Sequence, residues 1–214
     1  RDSLGAFRLQ DGYISQINAN TSLLHPTGVD VAVNYQTDLS AVGWNDAGSL
    51  AFNLNGTYQD TYKQQGASNL PVEDCAGYFG NTCGVPDPKY RFNFRVNWTS
   101  PSGDWLISGR WRYIGSVKFD DDYCLGKAPG TCTVTPANFD LSDHKLESVS
   151  YFDLTGVWNI KEGVSLTAGL QNLFNKKPPT VDNTIDANEN NSNTFPGIYD
   201  IQGRMLFVSG SVKF

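Results

Sequence analysis

Gly203-Arg204-Met205-Leu206-Phe207-Val208-Ser209-Gly210-Ser211-Val212-Lys213-Phe214 closes the chain, and its reading decides the fold. From Leu206, apolar residues and one glycine take every second place: Leu206, Val208, Gly210, Val212 and Phe214. Ser209, Ser211 and Lys213 stand between them. A period of two is a strand with one oily face and one polar face. The stretch finishes on an aromatic ring, which suits a strand end anchored at a membrane interface. The edge strand of a soluble sandwich accounts for the same residues equally well.

The same period recurs outward from this stretch. Val164, Leu166, Ala168 and Leu170 form one apolar face, and Phe152, Leu154, Gly156, Trp158 and Ile160 another. Trp105, Ile107, Gly109, Trp111 and Tyr113 are opposed by Ser108, Arg110 and Arg112. The cleanest case sets Tyr90, Phe92, Phe94, Val96 and Trp98 against Arg91, Asn93, Arg95, Asn97 and Thr99. Leu50, Phe52, Leu54 and Tyr58 alternate with Ala51, Asn53, Asn55 and Thr57, and Val29, Val31, Val33 and Tyr35 with Asp30, Ala32 and Asn34. Residues 13–40 read as extended, and 1–12 as loop.

Connections alternate between short and long. The turns near Trp44, at Pro101-Ser102-Gly103-Asp104 and at Lys161-Glu162-Gly163 are short. The segments of about 63–88, 119–147 and 180–200 are long. An up-and-down membrane barrel does this because its two ends meet different compartments; a sandwich has no reason to. Aromatic rings cap the apolar faces at both strand ends. Eight residues at ~3.3 Å rise, tilted ~40°, span ~20 Å, close to the oily band of such barrels. The opposite faces carry Arg, Asn, Gln and Thr, which a sandwich core could not bury unpaired. Low mean hydropathy is no objection, since a spanning barrel strand is only half apolar.

The expected inward, lumen-facing set therefore includes Asn53, Arg91, Asn93, Arg95, Arg110, Arg112, Asp153, Thr167 and Ser209. Phe52, Phe92, Phe94, Ile107, Leu154, Leu166 and Val208 are expected to face lipid. Trp98, Trp105, Trp158 and Phe214 are the expected interface anchors. A one-residue slip would reverse every assignment.

A net charge of −6 argues against a nucleic-acid partner. No run approaches ~18 apolar residues, so no transmembrane helix is expected. The four cysteines form two local pairs of equal spacing, Cys75 with Cys83 and Cys124 with Cys132. Neither is C-x-x-C and only His25 and His144 accompany them, so two disulfides in an oxidising compartment are expected rather than zinc. Asp120, Asp121 and Asp122 read as a solvated acidic loop tip; the alternative is a hard cation held by oxygen ligands. No G-x-S-x-G, phosphate loop or HExxH is present, so no catalytic residue and no cofactor are assigned and the chain is not expected to be an enzyme. Arg91, Arg95, Arg110 and Arg112 share one inferred face. Simple lumen solvation explains them; contact with an acidic plug surface or with substrate is the functional alternative.

Three stretches resemble the C-terminal part of TonB-dependent outer-membrane receptors. Thr27-Gly28-Val29-Asp30 with Asn34-Tyr35 resembles that family's GVE/GVD strand. Gln171-Asn172-Leu173-Phe174-Asn175-Lys176-Lys177-Pro178-Pro179 resembles its NLFDK box, with Asn175 in place of the commoner Asp. Pro196-Gly197-Ile198-Tyr199-Asp200-Ile201-Gln202-Gly203-Arg204, and then the strand to Phe214, resembles its closing segment. The resemblance implies an all-β fold: about the last seven strands of an antiparallel, roughly 22-stranded, plugged transmembrane barrel. Residues 1–214 would be the C-terminal part of that one domain. It also implies energy-coupled uptake of a bulky nutrient such as a ferric siderophore, a corrinoid or an oligosaccharide. The implied partners are outer-membrane lipid, an N-terminal plug, the remaining strands and the TonB complex. A passive porin is the competing reading. Parity then puts the long loops outside a Gram-negative cell and Phe214 at the periplasmic interface.

Overall fold

The computed structural model describes residues 23–66, 70–80, 82–120, 145–181 and 193–213. Seven long strands follow one another: β1 (Leu23–Asp38), β2 (Ser49–Gln65), β5 (Tyr90–Thr99), β6 (Trp105–Ile114), β9 (Val149–Lys161), β10 (Val164–Gln171) and β11 (Met205–Val212). They pair in the order β1-β2-β5-β6-β9-β10-β11, each antiparallel to its sequence neighbour among them. The result is an up-and-down meander that is not closed: β1 and β11 are its two outer strands.

Register preserves the alternation across the whole sheet. Tyr35, Phe52 and Val96 line up on one face, while Asn34, Asn53, Arg95, Arg110 and Asp153 line up on the other. The apolar face carries rows of rings: Tyr35 on Phe52 at 6.2 Å, Phe52 on Phe94 at 6.4 Å, Phe92 on Tyr113 at 5.0 Å and Trp111 on Phe152 at 5.9 Å. Yet it stays open to its surroundings: Val33 is 50% exposed and Leu206 68%.

Short connections cluster at one end. Residues 39–48 include a 3₁₀ turn (Leu39–Val42), 100–104 form a tight turn, and 162–163 join β9 to β10. The connections at the other end hold four short strands: β3 (Glu73–Asp74), β4 (Tyr78–Phe79), β7 (Val117–Phe119) and β8 (Lys145–Leu146). β3 adds to β2, whereas β4, β7 and β8 make a separate small sheet.

Two expectations about the loops need correcting. β2 runs to Gln65, beyond the point where the first long loop was expected to begin, because Leu23–Gln65 pairing continues the ladder with β1 above its membrane-like stretch. And the long connections are not merely polar loops. Phe79, Val117, Phe119, Leu146, Val181, Phe195 and Tyr199 pack with Val149 and Tyr151 of β9 into the buried hydrophobic cluster of the described residues. Val149 and Tyr151 lie on the polar side of the sheet, in register with Ile114 and Arg112. The loops thus fold across the polar face and leave the apolar face bare. Calls on residues 13–22, Asp121, Asp122, Cys124, Cys132, His144 and Phe214 fall outside the described residues.

Candidate functional site

The polar face is built by strand alternation and then tied together by charge. Asp153 of β9 is its centre and is only 7% exposed. Its Oδ2 accepts from Arg110 Nε at 2.8 Å and Arg112 Nε at 2.9 Å. Its Oδ1 accepts from Arg112 Nη2 at 3.2 Å and from the backbone N–H of Asn172 at 2.8 Å. A buried carboxylate with this many donors keeps its charge at little cost, because each lone pair lost to water is replaced.

Arg112 spans two carboxylates. Its Nη1 donates to Asp200 Oδ1 at 2.9 Å, and its Nη2 also reaches Asp200 Oδ2. The planar guanidinium suits this paired contact. The same group lies 4.9 Å from the centroid of the Tyr151 ring, and Tyr151 Oη accepts from the Asp200 backbone N–H at 3.2 Å. Arg112 therefore clasps the returning limb of the last loop to the sheet. Phe195 and Tyr199 on that limb are buried in the loop cluster. Burial raises the pKa of the Tyr199 hydroxyl.

The Asn-Leu-Phe box has a mechanical reading. Asn172 sits at φ +50°, in the left-handed region that asparagine tolerates better than most residues. Its side chain closes the turn, donating to Lys176 O at 2.8 Å and accepting from Lys176 N at 2.7 Å. That turn delivers the Asn172 N–H to Asp153 and sets Phe174 edge-on to Phe152 at 5.4 Å. One motif thus serves both faces of the sheet.

Nearer the short-turn end, the polar face is made of amides and hydroxyls. Asn53 donates to Asn34 at 2.7 Å and Asn97 donates to Asn53 at 3.3 Å, a relay across β1, β2 and β5. An open hollow of about 390 Å³ lies between Arg95, Arg110, Gln171 and Phe207. Phe207 covers Gly169, its register partner; a Cβ at position 169 would lie 2.4 Å from the ring, which would have to move to admit it.

Of the four arginines that alternation puts on this face, three have acidic partners. Arg110 and Arg112 share Asp153, and Arg91 lies 3.7 Å from Asp87. Asp87 also accepts from Gln59 at 2.6 Å, and burial raises its pKa despite Arg91. Arg95 has no acidic partner among the described residues.

The loop end carries the Cys75–Cys83 disulfide. Asp120 is not the solvated loop tip expected of it. It is 3% exposed, and its Oδ2 accepts from the backbone N–H groups of Thr82 and Cys83 at 2.6 and 2.9 Å. The carboxylate caps the disulfide loop. Gly80, at φ +136°, leaves room for it: a Cβ there would lie 2.4 Å from Asp120 Oδ1. Among the described residues, no group of His, Cys, Asp and Glu is arranged to hold a metal ion.

Three tryptophans stand at the short-turn end of the apolar face. Trp105 and Trp158 stack at 5.2 Å with planes 3° apart, and Trp98 Nε1 donates to Ala47 O at 2.8 Å. Sequence reasoning named these three but missed Asp200, Tyr151 and Asn172 as parts of the charged clasp. Tyr151 was in reach, since it alternates onto the same face as Asp153.

An antiparallel meander with its apolar face exposed and its charges clasped on the other side fits part of the wall of a membrane β-barrel. Residues 12–173 match the family described as TonB dependent receptor-like, beta-barrel, and the chain belongs to that family, whose barrels are of the outer-membrane type. Among solved structures, a variant of the ferric enterobactin receptor of Pseudomonas aeruginosa is similar, with 16% identity and a TM-score of 0.49. The match covers 88% of this chain and 22% of that one, so the chain spans about a fifth of that receptor's length. No curated protein matches.

Proposed function

We propose that these residues are the C-terminal wall of a TonB-dependent receptor that takes a bulky, scarce nutrient across the outer membrane. A ferric siderophore, a corrinoid and an oligosaccharide are the candidate classes. The observation that carries this reading is the inversion of the sheet. Its apolar face is exposed, while the loops pack over the charged face, an arrangement that suits lipid outside and a filled interior. In this reading Asn53, Arg91, Asn93, Arg95, Arg110, Arg112 and Asp153 face the lumen. The long loops are extracellular, and Phe214 and the tryptophan row lie at the periplasmic interface. The free edges of β1 and β11 pair with the remaining strands, because an open edge is not tolerated in lipid.

The test is uptake by the full-length receptor in a Gram-negative host. Transport of its nutrient is expected to stop when TonB is deleted or the proton-motive force is dissipated. Uptake that continues under both conditions would mark a passive porin and defeat the proposal. Deleting Phe214 should lower the amount assembled in the outer membrane more than it lowers substrate affinity of the molecules that do assemble.

A further inference from the structure

The middle of the polar face has more positive than negative charge. Arg95 lies directly opposite Arg110 in the β5–β6 register, a like-charge cross-strand pair that is unfavourable without a counter-ion. Arg110 turns to Asp153, which Arg112 already shares, and Arg112 turns on to Asp200. Among the described residues, then, this part of the face has three guanidiniums and two carboxylates, and the one left over is Arg95. Its other register neighbour, Asn53, has its amide donating to Asn34 and its carbonyl accepting from Asn97, so it offers no charge. Beside Arg95 lies the 390 Å³ hollow, lined also by Ser108, Gln171 and Asp153, whose carboxylate is already held by Arg110 and Arg112.

Resting on the reading above, we infer that Arg95 is the point on the lumen wall that receives a carboxylate side chain of the domain filling the closed barrel. Closure and filling remove this face from bulk water, and an unpaired charge is then costly. Position selects the plug over the nutrient. Arg95 stands halfway down β5, five residues from Tyr90 at the loop end, whereas a nutrient arriving from outside first meets the loop cap. The guanidinium fork suits a bidentate carboxylate, and the hollow leaves room for the side chain that brings it.

The test is made on the full-length receptor without nutrient. Arg95→Gln is expected to lower the thermal midpoint by several degrees and Arg95→Lys to restore about half of the loss. Each Asp and Glu of the filling domain is then neutralised, alone and with Arg95→Gln. One of them should lower the midpoint alone and add almost nothing in the double variant, the mark of a direct pair. Nutrient affinity should stay within twofold in Arg95→Gln. Additive midpoints for every acid would overturn the inference, as would a tenfold loss of nutrient affinity with no coupled acid. Either result with TonB-dependent uptake intact removes only the role of Arg95; loss of TonB dependence in the unaltered receptor removes the transport reading itself.

Discussion

Along β5, Phe92, Phe94 and Val96 stand on one side of the sheet and Arg91, Asn93 and Arg95 on the other, one residue apart in sequence. The first set stacks with its neighbours and is half-buried by contacts within the sheet. The second set is exposed: Arg91 is ion-paired with Asp87 and Arg95 stands beside a hollow, while on the same face of β9, at the loop end, Val149 and Tyr151 are roofed by a hydrophobic cluster. Elsewhere on the apolar face Val33 and Leu206 are exposed, where a water-soluble sheet would cover them with a second layer. The difference teaches that burial in this fragment is not what holds its strands together. The backbone ladder does that, and the two faces differ in chemistry.

The sharpest way to break the comparison is to exchange chemistry between faces. Phe94→Arg should destabilise the refolded full-length receptor in bilayers by about 2–4 kcal/mol if that position is near the midplane. Asn93→Arg, one residue away, should change stability by about 0.5 kcal/mol or less. Equal effects in denaturant titrations would mean that the faces are not distinct.

The next effect tests the roof. Opening the Cys75–Cys83 link with Cys75→Ser releases a loop of about nine residues, worth roughly 2.5 kcal/mol in the chain-entropy model. The loss should appear as faster proteolysis in the 70–88 region, with the strand signal in circular dichroism unchanged. Gross loss of strand signal would show that cap and wall are one cooperative unit.

Removing the central charge comes third. Asp153→Asn leaves Arg110 and Arg112 without their shared carboxylate and should cost about 2 kcal/mol, since charge-assisted hydrogen bonds are lost while the Asn172 contact survives. Asp153→Asn should also loosen the 193–204 limb, read as increased hydrogen exchange there. An unchanged limb would mean that Arg112 and Asp200 hold it unaided.

The smallest effect concerns pH. Burial raises the pKa of Asp87 in the folded protein above its unfolded value. Its favourable contribution is therefore present below the unfolded pKa and is lost as pH rises through the folded one. Relative to Asp87→Asn, the unaltered receptor should gain about 1 °C in midpoint as pH falls from 7 to 4. A shift of opposite sign would mean that Arg91, rather than burial, controls this carboxylate.

Strand order, facing and the short turns were legible because a period of two survives in every strand from Val29 to Val212. That the arginines share the polar face came with that pattern. The clasp was not legible, because Asp200 belongs to no strand and only the folding of the last loop brings it to Arg112 and Tyr151. The cap was hidden for another reason: β4, β7 and β8 are two or three residues long and carry no periodic signal. Asp120 looked like a solvated tip because three adjacent acids read as polar surface. Its burial depends on Gly80 and on the Thr82 and Cys83 amides, far away in sequence. Asn172 was visible as a motif residue, but its left-handed backbone and its bond to Asp153 were not.

The central claim is that the two faces meet different media, and spin labels at successive positions from 91 to 96 of the full-length receptor in lipid bilayers test it most directly. Labels at positions 92, 94 and 96 should collide readily with dissolved oxygen and weakly with a polar nickel reagent, and those at 91, 93 and 95 should show oxygen collisions several-fold lower. The alternation should repeat with a period of two. High oxygen accessibility at 91, 93 and 95, or no alternation, would contradict the account.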